Sequence, residues 1–110
     1  MDSPRIFKFT VEDGKIHAQP IIKILDVDFQ PNFQTQTMEV QFWAIVVPDG
    51  PVTSRKVEIL ATGQEVPLDV METFEHVKTI HTVEPRVTPD GVMPKSIINH
   101  VFLERAGGLN

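Results

Sequence analysis

Arg55 and Lys56 are the one pair of adjacent basic residues in the chain, and Ala61-Thr62-Gly63-Gln64 follows them shortly. A strand that ends in Thr-Gly lets the backbone turn sharply and presents successive N–H groups, a geometry that holds a phosphate or carboxylate. Charged donors beside it would neutralise the ligand. An ordinary turn in which Gly63 supplies a positive φ accounts for the same four residues. The only tryptophan, Trp43, lies upstream in an alternating run. It suits a stacking platform for a base, an interface anchor or a core residue. Downstream, Phe74 and His76 share one face of another alternating run, as residues at a pocket mouth would.

Other reactive side chains assemble no recognisable chemistry. His17, His76, His81 and His100 form no His-Glu-x-x-His motif and have no carboxylate cluster beside them, so no metal site is expected. Asp26 and Asp28 share a strand face and could meet a cation, but a solvated face explains them equally. With zero cysteines, thiol catalysis, zinc–thiolate sites and disulfides are excluded. Ser3, Ser54 and Ser96 lie outside any Gly-x-Ser-x-Gly elbow. Thr62, His100 and Glu104 would make a Thr-His-acid set only if the fold brought them together. The expectation is a non-enzymatic protein without a cofactor.

A formal charge of −5, with ten basic residues scattered among fifteen acidic ones, argues against tracking double-stranded nucleic acid. It leaves room for one small anionic ligand. No apolar run approaches the ~20 residues of a membrane span, so no membrane partner is expected and the default is a soluble, cytoplasmic protein. A chain of 110 residues is one domain, able to bury a core without a metal or a disulfide.

The elements that must position these residues read as strands. Arg5–Val11 alternates and ends at Glu12-Asp13-Gly14-Lys15, a hairpin signal. Ile16–Gln19 and Ile21–Gln30 are extended, Pro31-Asn32 turns the chain, and Phe33–Gln36 is a polar hairpin tip. In Thr37–Val47, Met38, Val40, Phe42, Ala44 and Val46 point one way and Glu39, Gln41, Trp43, Ile45 and Val47 the other. Its second half is apolar on both faces, so a second layer or a second subunit must cover it, and a homo-oligomer, most simply a dimer, is expected. Val57–Ala61, Phe74–Val83 and Ile97–Glu104 complete the strands. Pro67–Thr73 allows a short helical turn. Glu84–Ser96, with three prolines, reads as a loop or a bent hairpin connection. Residues 106–110 read as a frayed tail. The fold class is all-β, or mainly β with one short helix, in a small antiparallel sandwich or partly open barrel.

Taken together, Ile6-Phe7-Lys8-Phe9, Lys23-Ile24-Leu25-Asp26-Val27, Phe42-Trp43-Ala44-Ile45-Val46, Pro48-Asp49, Ala61-Thr62-Gly63 and Asn99-His100-Val101-Phe102 resemble a small family of uncharacterised tailed-bacteriophage proteins. The chain departs from that pattern at Ala61, where the family has a glycine, and in apparent insertions at Asn32–Thr37 and Val87–Lys95. The resemblance implies a phage accessory protein acting in the host cytoplasm against host defence, by sequestering a cyclic nucleotide immune signal. Under that implication Trp43 and Phe74 stack bases, Arg55 and Lys56 neutralise phosphates, and Thr62, Gly63 and Gln64 donate hydrogen bonds. The competing expectation is a protein–protein inhibitor or adaptor acting on a host or phage protein. The acidic balance alone favours the adaptor; the resemblance puts nucleotide capture first.

Overall fold

The computed structural model describes residues 3–106, so the tail expected at 106–110 lies, apart from Ala106, outside the described residues. Along the chain come β1 (Arg5–Thr10), β2 (Lys15–Ala18), β3 (Ile21–Asn32), β4 (Thr37–Val46), β5 (Thr53–Ala61), α1 (Leu68–Thr73), β6 (Phe74–Thr88) and β7 (Gly91–Glu104). They make two antiparallel sheets, β1-β4-β3 and β2-β5-β7-β6, in a mainly β fold with one short helix and a curled, half-barrel sheet.

Period-2 alternation explains which faces meet. On β4, Phe42, Ala44 and Val46 are fully buried. Phe42 packs with Val27 and Val40 of its own sheet against Ile16, Val57, Ile80, Val101 and Leu103 of the other, and these form the main core. The Asp13-Gly14 turn carries the chain from one sheet to the other. Both residues have positive φ, 52° and 72°, which an Asp-Gly pair tolerates best. α1 closes a smaller cluster on the outward side of the second sheet, where Val70 covers Leu60 and Phe74 beside Phe102.

Three boundaries differ from the expected ones. β3 runs through Pro31 and Asn32 opposite Met38 and Thr37, instead of turning there. β3 is an edge strand, so the missing proline N–H costs no ladder bond, and the Asn32 side chain makes the turn by accepting the Gln34 and Thr35 amides at 3.0 and 3.2 Å. β5 starts at Thr53 because β2 pairs with Thr53–Lys56.

The largest correction concerns Glu84–Ser96, which is a regular ribbon, not a loop. Val83 pairs with Ser96, Glu84 with Lys95, Pro85 with Pro94, Arg86 with Met93 and Val87 with Val92. Two prolines can face each other only at a non-hydrogen-bonded pair, where the missing N–H groups would have pointed to the open edges. The ribbon lies outside the core and contributes to a long dimension of 61 Å against 34 and 21 Å. Val83, Pro85, Val87, Val92 and Pro94 share one uncharged face; Glu84, Arg86 and Lys95 share the other.

Phe42 is the largest fully buried side chain. Its replacement by Ala should lower unfolding free energy by about 3–5 kcal/mol, read from the urea midpoint at unchanged slope.

Candidate functional site

On the outward face of the first sheet, strand register places three rows across β1, β4 and β3. Ile6, Ile45 and Lys23 form the first, Lys8, Trp43 and Asp26 the second, Thr10, Gln41 and Asp28 the third. Trp43 is half-buried at the centre, and Ile6 is 63% exposed. Thr10 Oγ1 donates to Gln41 Oε1 at 2.8 Å, which lets Gln41 lie buried in that face. No helix or strand among the described residues is packed over these rows, since α1 sits against β6 and β7 and the two sheets meet through their other faces.

The two aspartates are engaged locally. Asp26 Oδ1 accepts the Val27 amide at 2.9 Å, and Asp28 Oδ1 accepts the Phe29 amide at 2.9 Å. Lys78 of β6 reaches across and donates to Asp26. That bond holds the Asp26 carboxyl below its ordinary value of 3.8 against an opposing effect of burial.

Arg55 and Lys56 point to opposite faces of β5. Arg55 faces inward opposite Ile16, is 9% exposed, and donates from Nε to the Glu104 carbonyl at 2.8 Å. Burial pulls its pKa down, and the nearby carboxylates Glu75 and Glu104 pull it back up. It borders a cleft of about 410 Å³ shared with Lys23, Glu75, Val77, Ala106 and Ile21, Ile22 and Ile24. Lys56 faces outward, and its amide donates to Glu104 Oε1 at 3.1 Å.

The Thr62–Gln64 turn stands at the far end of β5, which is nine residues long, so about 20 Å separate it from Arg55. Gly63 has φ +92° and open space around it, in keeping with an ordinary turn. The Thr62 amide is held by the Ile98 carbonyl at 3.2 Å and the Gln64 amide by the Ala61 carbonyl at 3.1 Å. Gln64 Oε1 folds back to accept the Ala61 amide at 3.1 Å. A row of open donors for an anion is therefore not what this turn presents.

Thr62 does meet His100, with 2.9 Å between Oγ1 and Nε2. The third partner is not an acid: His100 Nδ1 lies 2.9 Å from Thr79 Oγ1, which lies 2.9 Å from His76 Nε2. Each hydroxyl can donate or accept, so the chain Thr62–His100–Thr79–His76 satisfies itself. Without a carboxylate to stabilise an imidazolium it is not a nucleophile–base–acid set. His76 stands edge-on to Phe102, with ring centroids 5.5 Å apart.

The seven residues nominated from sequence thus occupy separate places. Trp43 is on the outward face of the first sheet, Arg55 in the inter-sheet cleft, Lys56 on the outward face of the second sheet. Thr62, Gly63 and Gln64 form the distal turn, and Phe74 is buried beneath α1 at 5% exposure. Sequence reasoning missed Lys23, Glu75 and Val77 as neighbours of Arg55. Lys23 and Val77 sit at irregularities in β3 and β6 that shift the facing of side chains, and alternation alone does not announce those.

The chain belongs to the family defined by a domain of unknown function, DUF7352, whose pattern matches residues 3–88, from before β1 to the end of β6. No curated protein and no solved structure matches it.

Because Asp26 has a lower pKa folded than unfolded, its pairing contributes fully above about pH 3.8 and is lost as pH falls through the folded value. The melting temperature of Asp26→Asn should lie slightly below that of wild type at neutral pH, and the gap should shrink as pH is lowered below 3.8. The gap is small because the pair is exposed.

Proposed function

We propose that this member of a family of unknown function is a non-enzymatic docking protein that pairs with a second copy of itself through the Trp43 face. One observation carries the reading: a half-buried tryptophan sits at the centre of a sheet face that no helix or strand of the described residues covers, with charges of both signs beside it. Interface anchors are enriched in tryptophan, and an apolar centre with a charged rim is the usual anatomy of a docking patch. A solvated outer sheet face would instead read polar along β4, which Trp43 and Ile45 do not.

The register also says why the occupant is a second copy. A twofold axis parallel to β4 lays β4 over β4 and β1 over β3 of the other chain. Lys8 then faces the partner's Asp26, Thr10 faces the partner's Asp28, and the two tryptophans meet at the axis. The patch complements itself although each chain carries −5. Such a pair leaves the β6–β7 ribbon of each copy free, with its uncharged face available to a host or phage protein. That is the adaptor role.

Capture of a cyclic nucleotide, the role implied by likeness to phage accessory proteins, is the second reading. It is favoured by Arg55 and Lys23 sharing a cleft of about 410 Å³, within the size range of ligand sites. It ranks second because Trp43 and Phe74, its base-stacking residues, lie elsewhere.

Sedimentation should show a dimer at ~10 μM, about the concentration at which a micromolar interface is half-formed. Trp43→Ala should sediment as a folded monomer. Lys8→Asp, which sets like charges opposite each other twice per dimer, should weaken association at least about tenfold. A wild-type monomer at ~100 μM, or a Trp43→Ala variant that remains dimeric, would refute the pairing.

A further inference from the structure

We infer that the Arg55 cleft binds a small monocarboxylate with a branched aliphatic body. The Nε bond to the Glu104 carbonyl fixes the guanidinium plane. Nη1 and Nη2 have no protein acceptor among the described residues, and no side-chain nitrogen there is both buried and unpartnered, so this pair opens onto the cleft. Two parallel donors in a fixed plane match the two oxygens of a carboxylate.

Charge narrows the ligand further. Arg55 and Lys23 supply two positive charges at the cleft, against two negative ones from Glu75 in its lining and Glu104 beside Arg55. A monoanion adds the least further negative charge to this set. A dianionic phosphate would leave unpaired negative charge close to Glu75 and Glu104, the carboxylates that act on Arg55.

The walls select the body. Ile21, Ile22, Ile24 and Val77 line the cleft, and no aromatic ring does. Two of them come from irregular pairing: Ile22 is skipped between Ile21 and Lys23 on β3, and Val77 between His76 and Lys78 on β6. Bulges re-aim side chains and are over-represented beside sites, and here two strands each contribute a bulged aliphatic residue to one cavity. Ile22 is 58% exposed among the described residues, a surface that a branched aliphatic ligand would cover.

The inference does not need pairing through the Trp43 face, with which the cleft shares Lys23, and is tested on the whole chain by NMR, following the Arg55 Nε–Hε cross-peak during titration with 3-methylbutanoate, acetate and inorganic phosphate. The expected result is saturable movement with 3-methylbutanoate, bound at least about tenfold more tightly than acetate because it adds three buried carbons. Glu75→Gln should tighten binding several-fold and Lys23→Met weaken it. Both positions are exposed, so neither change threatens folding. Arg55→Lys should abolish binding, since a lysine keeps the charge and loses the fork. No saturable movement at millimolar 3-methylbutanoate, phosphate binding as tightly as the carboxylate, or an affinity unmoved by Glu75→Gln would each overturn the inference.

Discussion

β4 is hydrogen-bonded on both sides, to β1 and to β3, and its inward residues Phe42, Ala44 and Val46 have no exposed surface. Its position and orientation are therefore fixed by the core before any outward residue is considered. A slip of one residue would bring Gln41, Trp43 and Ile45 into the core and expel Phe42. Trp43 is thus held outward by Phe42, and its neighbours Lys8 and Asp26 are held beside it by the same register. The candidate docking face is a consequence of core packing, which is why a mobile loop is not needed to build it.

The β6–β7 ribbon poses the opposite problem. Past Thr82 and Ile97 none of its residues joins a core cluster of the described residues, and a two-stranded ribbon alone in water is marginal. Its edges would also offer unpaired backbone groups to any passing strand. Pro85 and Pro94 face each other across the ladder, so each blunts one edge. Edge-to-edge addition is disfavoured, and contact through the uncharged face of Val83, Val87 and Val92 remains. Exposed apolar residues on a projecting element with blocked edges fit docking better than aggregation.

Much of this was legible in the sequence. Alternation assigned the buried inward residues of β4 and Asp13-Gly14 located the turn, while the doubly apolar second half of β4 called for a second layer or a second subunit over its outward face, where no helix or strand of the described residues packs. Proline misled the reading at two places for one reason: composition marks Pro31, Pro85 and Pro94 as breakers, whereas an edge strand or a non-hydrogen-bonded pair accepts them without loss. The grouping of site residues failed for a different reason. Arg55 and Thr62 are close in number, but an extended chain moves apart by about 3.3 Å per residue, so sequence neighbours on one strand become opposite ends of a domain. Phe74 shares a face with His76 as residues at a pocket mouth would, and α1, only six residues long, gives too weak a sequence signal to show that it lies on top.

Electrostatics favours self-pairing over nucleotide capture as the proposed reading. Binding of a cyclic nucleotide needs positive charge concentrated where two or three phosphates converge. Here the strand period sends Lys56 away from Arg55, and Glu75 and Glu104 already act on Arg55. What remains is one guanidinium and one lysine against two carboxylates, too little for several converging phosphates. On the Trp43 face Lys8 and Asp26 flank the ring in the same row, and a twofold operation sets Lys8 opposite the partner's Asp26, which Lys78 of its own chain also holds. An acidic chain can pair with itself when its charges are arranged in this way, whereas capturing a polyanion would require basic residues that this cleft does not hold.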